Sequence, residues 1–132
     1  MSRSLINPPG TEEVYEAWKF SQAVKVNDTI WVSGQVGIGS EGIPESVGDQ
    51  AQLALSNLKG VLEHAGSSMT DVVETVVYLT DMETSKEYSK ARDKFFLSNY
   101  PASTVVQVSG LAVPQLKIEI RATAIVGSSK VQ

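Results

Sequence analysis

The feature that most restricts what this chain can fold into is a change of hydrophobic period along its length. Between Ser46 and Gly66 the apolar residues Val47, Ala51, Ala54, Leu55, Leu58, Val61, Leu62 and Ala65 recur at helical spacing and form one stripe. On either side of that stretch the period is two. Residues 29–36 alternate, and so do residues 116–126, where Leu116, Ile118, Ile120, Ala122 and Ala124 take one face and Lys117, Glu119, Arg121 and Thr123 the other. One-sided helices between one-sided strands can bury their apolar faces only against each other. The expected class is therefore α+β, with helices laid on a sheet.

Local signals place the elements. Residues 1–17 contain Pro and Gly and are read as an irregular segment, with room for a short edge strand. Residues 21–26 and 29–36 read as strands joined by the two-residue turn Asn27-Asp28. In the second strand Ile30, Val32, Gly34 and Val36 are expected on one face, and Trp31, Ser33 and Gln35 on the other. Residues 37–44 are a glycine-rich loop. Ser46 is placed to cap the long helix, Asp49 falls in its first turn, and Gly66 ends it. Residues 72–79 are rich in β-branched side chains and read as a strand. Thr80 and Glu83 have capping-box spacing and open a second helix, with Tyr88, Ala91, Phe95 and Phe96 on its apolar side and Pro101 beyond it. Residues 103–108 and 116–126 complete a ββ-α-β-α-ββ order. Two helices cover one sheet face. The other face carries Trp31 and further apolar residues among polar ones, so self-association is expected.

Composition narrows the chemistry. The chain has 132 residues, of which 42% are apolar, enough for one core and one domain spanning 1–132. It has no Cys and one His, which excludes disulfides, thiolate sites, a Cys nucleophile and multi-His metal sites. The net charge of −4 disfavours nucleic acid as a partner, since such binding rests on clustered Lys and Arg. Residues 1–10 hold no apolar signal-peptide core, and no apolar run is long enough to span a bilayer. A cytoplasmic address is expected, with a mitochondrial one left open.

Several segments then read together. Phe20-Ser21-Gln22-Ala23-Val24-Lys25-Val26, Ile30-Trp31-Val32-Ser33-Gly34-Gln35, the run 58–68 ending in Ala65-Gly66-Ser67-Ser68, the run 71–82, Pro101-Ala102-Ser103-Thr104 and Lys117-Ile118-Glu119-Ile120 stand in one register over residues 20–126. In this the chain resembles the Rid family of reactive intermediate deaminases, also called YjgF-like proteins. The resemblance implies a chorismate-mutase-like fold with a mixed six-stranded sheet and two helices on one face. It also implies a homotrimer with ligand clefts between subunits, a small-molecule substrate, and no metal or cofactor. The activity it implies is hydrolysis of enamines and imines to a carbonyl compound and ammonia.

The same resemblance assigns site residues. Glu119 matches the family carboxylate that orients water or relays a proton. Ser33 and Gly34 would line the cleft. At the position of the Arg that grips a substrate carboxylate by two-point contact stands Ser103, followed by Thr104. A hydroxyl can hydrogen-bond a carboxylate but cannot neutralise it. The family Tyr is Phe20, a helix Asn aligns with Ser89, and a Cys often found near the Arg is Val105. The pocket thus keeps its carboxylate and loses most of its grip on amino-acid-derived substrates. A less charged or larger imine is the expected substrate. Arg121, two residues from Glu119 on one strand face, is either a relocated cationic anchor or a partner that pairs with Glu119 across the trimer interior.

Each of these residues also has a plainer reading. Glu119 and Arg121 on an alternating strand are ordinarily solvated or paired charges. Ser33-Gly34 can be a strand bulge, and Ser103 and Thr104 plain strand residues. His64 suits the C-terminal dipole of the long helix. Trp18 and Trp31 fit packing better than stacking on a ligand. Gly37, Gly39 and Gly42 make no phosphate-binding fingerprint and read as a mobile loop near the cleft. Two alternatives to the hydrolase stand beside it: a non-catalytic trimer that binds a small molecule or a protein, and a single-strand endoribonuclease or translation inhibitor.

Overall fold

The long helix α2 spans Val47–His64. The Ser46 side chain accepts the Asp49 N–H at 3.1 Å, which satisfies one of the free amides of the first turn. At the far end Gly66 adopts φ +83°. Its N–H donates to Glu63 O at 3.1 Å, and Ser67 N–H donates to Leu62 O at 2.9 Å, closing a Schellman motif. His64 lies in the last turn, as its dipole reading required. The computed structural model describes residues 1–131, so Gln132, the end of the expected domain, lies outside the described residues.

Six strands of the described residues form one sheet, and two of them, the third and the last in chain order, receive the apolar stripe of α2. The six are β1 (Ser4–Ile6), β2 (Ala23–Val26), β3 (Thr29–Val36), β4 (Val72–Leu79), β5 (Ala102–Gln107) and β6 (Ile118–Ile125). Their order is β1-β2-β3-β6-β4-β5. Only the β4–β5 pair is parallel. Because β3 and β4 both run antiparallel to β6, they run the same way with β6 between them. α2 makes that crossover, and α3 (Ser85–Arg92) makes the one from β4 to β5. Both helices lie on one face, α2 against β3, β6 and α3. Ile118, Ile120, Ala122 and Ala124 of β6 are buried beneath them with Ile30, Leu55, Leu58, Leu62, Val77 and Leu79. Each large aliphatic side chain so buried contributes about 1.5–3 kcal/mol. On the other face Trp31, Val106 and Ile125 remain exposed, as the uncovered side of the sheet was expected to be.

Five details depart from the sequence reading. Residues 1–17 are not wholly irregular: α1 occupies Glu12–Trp18. It buries no residue, so it leaves no amphipathic stripe to read. The Asn27-Asp28 turn forms, with Val26 paired to Thr29, but only Asn27 uses positive φ, at 52°. Thr80 does not cap the second helical segment. Asp81 does, accepting the Glu83 N–H at 3.0 Å at the head of a 3₁₀ turn that leads into α3. α3 ends at Arg92 rather than running through Phe95 and Phe96; Phe96 N–H still bonds Arg92 O at 3.0 Å and the ring is buried. The fifth departure, in β3, builds the site.

Candidate active site

β2 pairs with β3 only as far as Ala23 opposite Val32. Beyond that point β3 has one strand neighbour, β6, and its register with β6 shifts between Val32 and Gln35. Ser33 and Gly34 form a β-bulge, the plainer reading of that pair. One extra residue reverses the faces that follow. Gln35 turns to the buried side with Ile30 and Val32, and Val36 turns to stand opposite Glu119. The expectation that Gly34 and Val36 share the face of Ile30 therefore fails at the bulge. The chain ahead of β2 closes around it. Ser33 N–H donates to Gln22 O at 2.9 Å, Ser33 Oγ donates to Ser21 O at 2.7 Å, and Gln22 N–H donates to Asn7 Oδ1 at 3.1 Å.

The partnerless stretch of β3 opens a cleft of about 870 Å³. Its floor is Ser33, Gly34 and Glu119. One wall is α1 with Val14 and Trp18, continued by Phe20; another is the Asn57–Val61 turn of α2; a third is the approach to β6, with Ala112, Val113 and Leu116. Glu119 lies directly over Gly34. A β-carbon at residue 34 would stand 2.2 Å from Glu119 Oε2 and 2.5 Å from its carboxyl carbon. Glycine is thus required there for close approach of the carboxylate, independently of backbone dihedrals. Partial burial raises the pKa of Glu119 above its ordinary value. No other charged side chain lines the cleft among the described residues.

Two polar residues of α2 hold the cleft walls. Gln50 is fully buried. Its Nε2 donates to Pro44 O at 2.8 Å and to Gln115 O at 3.0 Å, while its Oε1 accepts Lys117 N–H at 2.8 Å. It thereby joins the 37–44 loop, the 112–116 approach and the start of β6 just ahead of Glu119. Asn57 Nδ2 donates to Val36 O at 2.9 Å and Ile38 O at 3.2 Å, covering the bare edge of β3. Gly37 packs against Gln50, so the first half of the glycine-rich loop is pinned rather than free. The sequence reading passed over both side chains. Gln50 stands on the apolar stripe between Val47 and Ala51, and a polar residue in that position was the available signal.

The predicted site residues divide into two groups. Phe20, Ser33, Gly34 and Glu119 line the cleft together. Ser89, Ser103, Thr104 and Arg121 do not line it within one chain. Ser89 Oγ donates to Ser85 O at 3.0 Å inside α3. Ser103 and Thr104 lie on β5, exposed along its whole length at the sheet edge. Arg121 is exposed opposite Val76 on β4. Among the described residues of one chain it forms no ion pair with Glu119, the Arg92–Asp93 pair at 2.9 Å being the ion pair present. Trp18, read as a packing residue, is 64% exposed and lines the cleft.

The family model described as endoribonuclease L-PSP matches residues 11–126. The chain belongs to this family, whose members include the YjgF-like and Rid proteins. Among curated relatives, the human 2-iminobutanoate/2-iminopropanoate deaminase is 39% identical over 111 residues, covering 82% of this chain and 80% of the relative. A solved YjgF-family member from Mycobacterium tuberculosis superposes with a TM-score of 0.83 at 30% identity, over 95% of this chain and all of that one (100%). TdcF of Escherichia coli, solved with bound serine, gives 0.76 at 32% identity, over 80% of this chain and 87% of that one. The α+β fold of this Rid-family chain, with its mixed six-stranded sheet, is the fold of these relatives. No helix of the described residues is long and apolar enough to cross a membrane.

Proposed function

We propose that the chain hydrolyses reactive imines or enamines to a carbonyl compound and ammonia without a metal or cofactor, and that its substrates differ from simple 2-imino acids. The observation that carries this reading is the Glu119 carboxylate, held against Gly34 on the floor of an apolar cleft. Imine hydrolysis needs a base to take a proton from water as its oxygen bonds to the imine carbon, and an acid to return that proton to nitrogen as the carbon–nitrogen bond breaks. One carboxyl group can do both in turn. Burial raises its pKa and so makes it the better base. Relatives named as imine deaminases support the reaction class. Ser103 in place of the family Arg, together with a cleft that offers no cation, argues against a substrate gripped by its carboxylate.

The separation of Ser89, Ser103 and Thr104 from Glu119 has a natural reading in the expected homotrimer. In a cyclic, head-to-tail assembly the β5 edge of one copy can face the cleft of the next. The endoribonuclease reading is weaker, because among the described residues no Lys or Arg lines the cleft to hold phosphates. The test generates imines in situ with an amino-acid or amine oxidase and follows their loss with wild type and Glu119→Gln. Acceleration that depends on Glu119 supports the hydrolase. Its absence on every substrate, from correctly assembled protein, moves the reading to a binding trimer.

A further inference from the structure

The polar groups of the cleft share a polarity that its shape alone does not reveal. Ser33 has its hydroxyl hydrogen committed to Ser21 O. Both Nδ2 hydrogens of Asn57 go to Val36 O and Ile38 O. Both Nε2 hydrogens of Gln35 go to Gln22 Oε1 and Ser33 O. Thr11 Oγ1 donates to Pro8 O. For Asn57 both partners are carbonyl oxygens, which fixes the orientation of its amide. What these side chains can still offer a ligand is oxygen. Ser56, Gln22 and the indole N–H of Trp18 are the lining side-chain groups that keep a hydrogen free to donate among the described residues. Glu119 is the one charge that the described residues of a single chain bring to the cleft, and acceptors outnumber free donors inside its apolar walls.

The walls add a second preference. Trp18 ends α1, and Lys19 then takes a left-handed φ of 61°, so the chain turns before Phe20. Both rings line the cleft and both are solvent-exposed, Trp18 by 64% and Phe20 by 39%. Exposed aromatic faces beside a carboxylate favour a cation with a broad apolar body. A carboxylate on the cleft floor would meet the Glu119 carboxylate and the oxygen of Ser33, with no cation among the described residues of the chain to offset the repulsion.

We propose that the cleft recognises a protonated, carboxylate-free imine with an aryl or similarly broad apolar substituent. The iminium N–H groups point to Glu119 and Ser33 Oγ, and the substituent lies against Trp18 and Phe20. This rests on the hydrolase reading for its chemistry, though not for its binding. Water adds its oxygen to the iminium carbon, the C=N pair moves to nitrogen, and the released proton passes to Glu119. That proton returns to nitrogen, the C–N pair leaves with ammonia, and the hydroxyl proton goes to the departing ammonia as the carbonyl forms. The sum is iminium plus water giving carbonyl compound plus ammonium.

Calorimetric titration of the assembled protein with benzylammonium, methylammonium and phenylacetate separates this inference from the hydrolase reading, because it needs no turnover. Benzylammonium is expected to bind about tenfold or more tightly than either of the others. Glu119→Gln and Trp18→Ala are each expected to weaken benzylammonium by about the same factor. The Trp18 side chain is largely exposed, so that variant should fold. Phenylacetate binding more tightly than benzylammonium, or benzylammonium binding unaffected by Glu119→Gln, overturns the proposal. A turnover assay on a benzylic imine and on its α-carboxylated counterpart completes the test. Faster hydrolysis of the carboxylated imine overturns the recognition and leaves the hydrolase standing. Glu119-dependent binding of benzylammonium with no turnover of either imine upholds the recognition and removes the hydrolase.

Discussion

Gly34 lies within β3 and Gly37 just beyond its end, and neither position has room for a β-carbon. The obstacles differ. At Gly34 it is the carboxylate of Glu119, the free end of a flexible side chain, at 2.2 Å. At Gly37 it is the Cα of Gln50 in the α2 backbone, at 2.6 Å. The cleft floor is therefore a place where geometry serves a movable group, and the wall beside it is a place where two backbones meet. The first region can yield without unfolding the protein. The second cannot. Function and stability should accordingly come apart at these neighbouring glycines.

The largest expected effect removes the group at the centre of the first region. Glu119→Gln keeps the shape and deletes the base, and imine hydrolysis should fall by about 10²–10⁴-fold, the usual worth of a positioned acid–base group. Steady-state rates per folded protein measure it. A rate within a few-fold of wild type would mean that the carboxylate is merely a neighbour of Gly34. The glycine pair comes next. Gly34→Ala displaces the carboxylate by an ångström or so, and a misplacement of about 1 Å can cost about 10²-fold in rate. Its melting temperature should stay close to wild type, because the carboxylate can swing away. Gly37→Ala should do the reverse, losing about 1–3 kcal/mol of stability by forcing strand end and helix apart. Denaturant unfolding and turnover, run on both variants, check the crossing pattern. Equal losses of both kinds in both variants would erase the distinction.

How much of this was legible beforehand follows the same line. The helix-covered face was readable because its signals are repetitive: the stripe from Val47 to Leu62, the alternation of β6, and Ser46 and Gly66 at the helix ends each state one periodicity or one cap. The cleft was only half readable. Glu119, Gly34, Ser33 and Phe20 could be placed through the family register, and the structure does bring them together. A bulge at Ser33-Gly34 could be read as one option, but not its reversal of the faces that follow, since a single extra residue leaves no periodic trace and depends on where β6 resumes pairing. α1 was missed because a helix that buries nothing carries no stripe. The place of Trp18 in the cleft wall was not legible for the same reason, since it ends that helix.

Gln50 belongs to both regions and sharpens the contrast between them. It sits on the core stripe, yet its three hydrogen bonds reach the loops that shape the cleft. Gln50→Leu preserves volume and strands Lys117 N–H and the Pro44 and Gln115 carbonyls. The cost should be about 1–3 kcal/mol, partly relieved wherever water reaches the freed groups. Because Lys117 leads directly into β6, turnover should fall as well, through kcat more than KM. A stability loss with an unchanged kcat would confine Gln50 to the core.

The smallest effect is the most diagnostic of what the cleft floor sacrifices. Desolvation raises the pKa of Glu119 in the folded protein above its value in the unfolded chain. Between those two values the folded state binds more protons than the unfolded state, so stability must fall as pH rises across that window. Below the window the carboxyl is protonated in both states and costs nothing; above it the penalty is constant. Glu119→Gln has no such titration. The variant should therefore melt with wild type at about pH 4 and slightly above it by about pH 7–8. The opposite slope, with wild type gaining on the variant as pH rises, would mean that a cation reaches Glu119 in the assembled protein, Arg121 of a neighbouring copy being the first candidate. The rate has the opposite sense, since the base works only when ionised. Its acid limb should rise through the same elevated pKa, so activity and the stability penalty should appear over one pH range. A cleft floor that loses stability as it gains its base is what separates it from the aliphatic packing of Ile30, Leu55 and Ile118 under the helices, where no group ionises.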